Sequence, residues 1–261
     1  MSERKTSDSQ IRELVETGSD IAGGAVGGAL GYLITGPAGA VVGSASGPAA
    51  AVALRYLASE FKQRVLGPRE EVRVGAVIAF AGDKIRQNVQ QGQRVRQDEF
   101  FEEELGERST ADEVFEGVLL AAQREPQEKK IRFYGNLVAN IAFHPEIDRD
   151  QATFLISLGE SLSYRQLCLL RLFAVNNKFR LREKDYREGG LSGAKRIALV
   201  QEIYSLTGRG LLSAGGEAVL GVTDIIPGKM SVQGVAATLH NLMELREISS
   251  QDLNRTAHWL R

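Results

Sequence analysis

Residues 21–54, IAGGAVGGALGYLITGPAGAVVGSASGPAAAVAL, carry no charged side chain, and more than half of them are glycine or alanine. Gly23, Gly27 and Gly31 recur at every fourth position, as do Gly39, Gly43 and Gly47, so each set forms one smooth stripe down a helix. Between the stripes, Gly36 and Pro37 in TGPAG break the helix or turn the chain. The pattern predicts a hairpin of two glycine-striped helices.

Three environments compete for such a hairpin. A phosphate-cradling loop is excluded by spacing, because the stretch contains neither G-x-x-x-x-G-K-[ST] nor G-x-G-x-x-G. In water each helical glycine costs about 1 kcal/mol relative to alanine, so the nine glycines here need very close packing to be tolerated. In a bilayer that cost matters less, since water does not compete for the backbone and small residues let helices approach. The arms, 21–34 and 38–54, reach about 21 and 25 Å against a hydrocarbon core of about 30 Å. Nine Leu, Ile and Val residues supply only about −3 to −5 kcal/mol for insertion. Insertion is therefore expected to be coupled to homo-oligomeric assembly, with the six stripe glycines packing helix on helix. Lys5 and Arg12 before the run and Arg55, Lys62 and Arg64 after it place both flanks on the cytoplasmic side. A hairpin buried in a soluble oligomer core is the competing expectation.

The remaining sequence reads as soluble and mainly helical. Overall the chain is 43% hydrophobic and 25% charged with a net charge of −1, so no global field draws it to nucleic acid or anionic lipid. A single cysteine, Cys168, excludes an internal disulfide and suits a reducing compartment. The first twenty residues lack the layout of a cleavable signal peptide, so the apolar run is expected to stay in the chain. Val74, Val77, Ile78, Ala81 and Ile85 predict an amphipathic helix from near Pro68. Ser109 and Asp112 have capping-box spacing ahead of an apolar face of Val114, Phe115, Val118, Leu119 and Ala122. A third helix runs from near Pro126, turning Ile131, Tyr134, Leu137, Val138 and Ile141 inward, and HPEIDRD ends it. Residues 151–176 predict two more helices, the second opened by Ser163 with Gln166 and carrying Leu167, Leu170, Phe173 and Ala174. Beyond Lys178 a helix over 193–206 ends at Gly208, two strand-like runs flank Gly215 and Gly216, and a last helix covers 231–245. That order is the order of a winged-helix module.

The expected fold is mainly α: an N-terminal glycine-zipper helical hairpin, a helical middle region, and a C-terminal winged-helix-like module with a small β-hairpin. The expected segments are 1–20, an N-terminal cytosolic stretch; 21–58, the membrane hairpin; 59–130, amphipathic connecting helices; and 131–261, a cytosolic helical and winged-helix-like domain.

No constellation reads as an active site, and the chain is not expected to be an enzyme or to need a cofactor. His144, His240 and His258 are far apart, outside any H-E-x-x-H, and read as loop or surface residues. Cys168 reads as a core thiol. GSASG at Gly43 has Ala45 where a hydrolase elbow needs serine, and DEFFEEELGER lacks the ligand spacing of a calcium loop and reads as a solvated face. One cluster stands above the neutral background: Lys178, Arg180, Arg182, Lys184, Arg187, Lys195 and Arg196, against Glu183, Asp185 and Glu188. With Arg165 and Arg171 it is a candidate anion site for nucleic acid or a nucleotide, because phosphate is held chiefly by Arg, Lys and helix N-termini. A solvated mixed-charge loop explains the same residues.

The glycine-striped hairpin, together with EGVLLAAQREPQEKKIRFYGNLVANIAFHPEID and LSYRQLCLLRLF, resembles the glycine-zipper membrane effectors encoded in bacterial anti-phage defence operons, the channel-type effector of the Hailong system among them. The resemblance implies an oligomeric, ion-channel-like pore in the bacterial inner membrane with a cytoplasmic C-terminal domain. It also implies gating by a nucleotide or DNA-oligomer ligand and an operon-encoded nucleotidyltransferase as partner. The alternative is a soluble winged-helix DNA-binding regulator that buries the hairpin in an oligomer core.

Overall fold

The computed structural model of the 261-residue chain describes residues 66–102 and 108–261. The expected hairpin and all six stripe glycines lie outside the described residues. The described chain is mainly helical and forms two compact units that divide between Ser161 and Leu162. The boundary expected at 130/131 falls inside the first unit, and the division comes at 161/162.

The first unit is built from α1 (Pro68–Gln90), α2 (Thr110–Arg124), α3 (Ile131–Ile141) and α4 (Arg149–Ser161). α1 starts where expected, and Gly67 N–H donates to Glu70 Oε2 at 2.9 Å across its first turn. Its predicted apolar face, Val74 through Ile85, is buried. Ser109 caps α2 by accepting from Asp112 N–H at 3.1 Å, while its hydroxyl donates to the Asp112 carboxylate at 2.8 Å.

α3 is the centre of this unit. A turn of 3₁₀ helix at Glu128–Lys130 leads into it, and every residue but Arg132 is buried, because α1 and α2 cover one side and α4 another. The approach to α1 is close enough to need a glycine: a Cβ on Gly135 would stand 2.6 Å from Phe80 Cβ and 2.9 Å from the Val77 carbonyl oxygen. A buried amide pair, Asn88 Nδ2 to Asn140 Oδ1 at 2.9 Å, joins the same two helices.

The second unit is organised around α5 (Tyr164–Ala174), opened as expected by a Ser163–Gln166 capping box. Leu167, Cys168, Leu170 and Phe173 are buried, whereas Ala174 at the helix end is exposed. Against α5 pack α6 (Ala194–Gly208), α7 (Val235–Leu242) and α8 (Ser250–His258). Gly210, at φ 70°, turns the chain after α6 and leads into β1 (Leu212–Ser213).

Two expectations shift here. β1 pairs antiparallel with β2 (Ser231–Val232), in register Leu212 with Val232, and the run just after Gly216 forms no strand. That run enters a turn in which Asp224 Oδ2 accepts from Leu220 N–H at 2.8 Å and Gly221 N–H at 2.9 Å, which withdraws those amides from a ladder. The last predicted helix, 231–245, is cut at both ends. Gly234 at φ 55° separates it from β2, and Glu244, left-handed at φ 53°, stands just past its end. α8 follows, with Ser249 accepting from Asp252 N–H at 3.1 Å, beyond the last helix the sequence predicts.

Candidate anion-binding surface

The basic segment 178–196 joins α5 to α6 with little regular structure, so its carbonyl groups need donors from elsewhere. Three of the seven predicted cations supply them or are otherwise held. Arg182 Nε donates to the Lys184 carbonyl at 2.9 Å and its Nη2 to the Asp185 carbonyl at 2.9 Å, with the guanidinium 4.7 Å above the Tyr186 ring. Arg196 donates to the carbonyls of Trp259 and Gly190, each at 3.0 Å. Arg187 Nε pairs with Asp224 at 2.7 Å, which holds that carboxyl below its usual range. Lys195 Nζ lies 5.5 Å from the centre of the Trp259 ring. Lys178, Arg180 and Lys184 are exposed on the loop. Much of the apparent basic patch is therefore scaffold for its own loop.

Of the two further cations, Arg165 is held by Glu202, with Nε 3.0 Å from both carboxylate oxygens. Arg171 differs. It is half-buried on α5, its Nε is shielded from solvent without an acceptor, and it makes no hydrogen bond or ion pair with a described residue. Burial, then the neighbouring Arg246 charge, pull its guanidinium below the usual arginine range. α7 and the 3₁₀ turn Leu245–Glu247 both pack on α5, and the Arg171 and Arg246 charges both bear on His240. His240 is half-buried there, not a loop or surface residue as expected. Its Nδ1 is 3.2 Å from Asn241 Oδ1, and its Nε2 is buried without a partner. Arg246 gives Nε and Nη2 to Glu244 Oε2 at 3.2 and 2.9 Å, and its side chain is 65% exposed. The sequence offered no sign of this grouping, since its three members lie on separate elements.

In the first unit a cavity of about 570 Å³ is lined by Arg96, Asp98, Phe100, Arg108, Asp148 and Arg149, among others. Its cations are committed to internal partners. Arg96 is buried, donates to the Ile147 carbonyl at 2.9 Å and the His144 carbonyl at 3.2 Å past the end of α3, and bonds Asp98 through Nε at 2.7 Å. That bond holds the Asp98 carboxyl below its usual range. Arg108 pairs with Glu116 at 2.5 Å, and Arg149 Nε with Glu113 at 2.5 Å. Among the described residues no three His, Cys, Asp or Glu side chains gather as metal ligands.

No family model, curated protein or solved structure matches the chain.

Proposed function

We propose that the chain is an oligomeric membrane effector of pore or ion-channel type, acting in anti-phage defence, and that the two helical units form the cytosolic part that controls it. The observation that carries this reading is the uncharged run 21–54 with glycine at every fourth position in each arm. Among the described residues no helix is long and apolar enough to cross a membrane. The second unit is read as winged-helix-like on the order α5, α6, paired β1 and β2, α7, with the long 175–193 connection as its departure from a tight helix-turn-helix. Its ligand is a nucleotide or nucleic acid.

Fractionation tests the reading. The whole chain is expected in the membrane pellet, released only by detergent, while a truncation beginning at Ser59 stays in the supernatant. Gly27→Leu or Gly43→Leu is expected to abolish oligomers and toxicity in a cell-growth assay. A whole chain that remains in detergent-free supernatant overturns the proposal in favour of a soluble DNA-binding regulator.

A further inference from the structure

A guanidinium that is half-buried without an acceptor is costly, because desolvation is not repaid by hydrogen bonds. Arg171 is in that position, and a second guanidinium, Arg246, on the turn packed against α5, adds a like charge. The acids on the adjoining turn are Glu244 and Glu247; Glu244 is buried and spends one oxygen on Arg246. Arg246 keeps Nη1 without a hydrogen bond within the described chain, and Arg171 its whole outer fork. Unspent guanidinium donors on two elements that pack together suit a tetrahedral oxyanion, which can accept from both.

We propose that Arg171 and Arg246, with His240 beside them, form a site for a phosphate-type oxyanion on the second unit. The site shares no residue with the seven cations of segment 178–196, and it stands whether or not the chain enters a bilayer. His240 reports on its occupancy. Burial keeps the imidazole below its ordinary range; the Asn241 contact opposes this, and the Arg171 and Arg246 charges reinforce it. An anion between the guanidinium groups cancels their repulsion of a protonated ring, so binding raises the imidazole pKa.

The test is an NMR titration of the full chain with inorganic phosphate and, separately, with adenosine monophosphate, at ionic strength held constant with chloride. The His240 resonance is assigned by its loss in His240→Asn. Either anion is expected to move that resonance saturably and to shift its titration to higher pH. Tighter binding of the mononucleotide identifies a phosphate ester as the ligand, and equal or tighter binding of inorganic phosphate identifies the free ion. Arg171→Gln and the more exposed Arg246→Gln are each expected to weaken binding by about tenfold or more, with the fold checked by circular dichroism. No response of His240 to either anion overturns the proposal, as does unchanged affinity in a folded Arg246→Gln protein.

Discussion

The Lys130 ammonium lies 2.5 Å from Glu125 Oε2, with 2% and 5% of the two side chains exposed. Such a pair persists only when its other polar atoms are also satisfied. Tyr134 donates its hydroxyl to the same carboxylate oxygen at 3.1 Å, Gln127 N–H donates to the other at 2.8 Å, and Lys130 Nζ donates to the Glu160 carbonyl at 3.2 Å. Burial first, then the Glu125 charge, push the Tyr134 phenol up, so it remains a donor well into alkaline pH. The network ties the start of α3 to the ends of α2 and α4. Lys130→Met strands a buried carboxylate and is expected to cost about 3–5 kcal/mol, measured by urea denaturation. Combining it with Glu125→Gln is expected to restore most of that loss.

Gly135 sets how closely α3 lies on α1. A methyl group there meets Phe80 Cβ and the Val77 carbonyl, neither of which is the free end of a flexible side chain. Gly135→Ala is expected to destabilise the first unit by about 1–3 kcal/mol, as overpacking does. Gly208, at the end of α6, has open space around the corresponding position. Gly208→Ala is therefore expected to be neutral or stabilising by less than about 1 kcal/mol. Thermal denaturation of the two variants side by side reads the contrast.

Helices with a complete apolar stripe and a polar cap were legible in the sequence, because period and cap are local. α2 from Ser109 and α5 from Ser163 are of this kind, and α1 has the stripe with Pro68 in place of a polar cap. What depends on tertiary contact was not. Gly135 reads as an ordinary helical glycine until α1 is laid on it. β2 pairs with β1 across residues 214–230, and the Asp224 turn that displaces it is set by a side chain the strand pattern does not see. A single period over 231–245 runs through Gly234 and Glu244, which bracket the shorter α7, and the burial of His240 comes from the packing of α7 on α5, which no local period shows. Arg182 and Arg196 read as candidate anion ligands because sequence shows their charge and not the carbonyl groups that require them. Arg171 was noticed only as one more cation, and its lack of an acceptor is a property of the fold.

The basic segment divides into cations that hold the loop and cations that do not. Arg182→Ala removes the bonds to the Lys184 and Asp185 carbonyls and the stack on Tyr186, and is expected to cost about 2–3 kcal/mol. Arg180→Ala, on the exposed side, is expected to stay within about 0.5 kcal/mol. Limited proteolysis checks both, with faster cleavage between residues 178 and 193 in the first variant only.

His240 makes the stability of the second unit depend on pH near neutrality. Burial holds its imidazole pKa below the ordinary value of 6.5, so the unfolded chain binds the proton at a pH where the folded chain does not. Where the unfolded state carries more protons, stability falls with falling pH. The contribution is complete above the unfolded pKa and declines as pH drops through it, levelling off once the folded imidazole is also protonated. Between pH 7 and pH 5, values bracketing the unfolded pKa of about 6.5, the wild-type chain is expected to lose thermal stability. His240→Gln is expected to flatten that limb, leaving the carboxylates to act only at lower pH. A melting profile across this interval, in chloride buffers free of phosphate, checks the slope. An unchanged slope in the variant assigns the acid sensitivity to another group, because neither His144, paired with Glu146 at 2.6 Å, nor the exposed His258 is altered by the substitution.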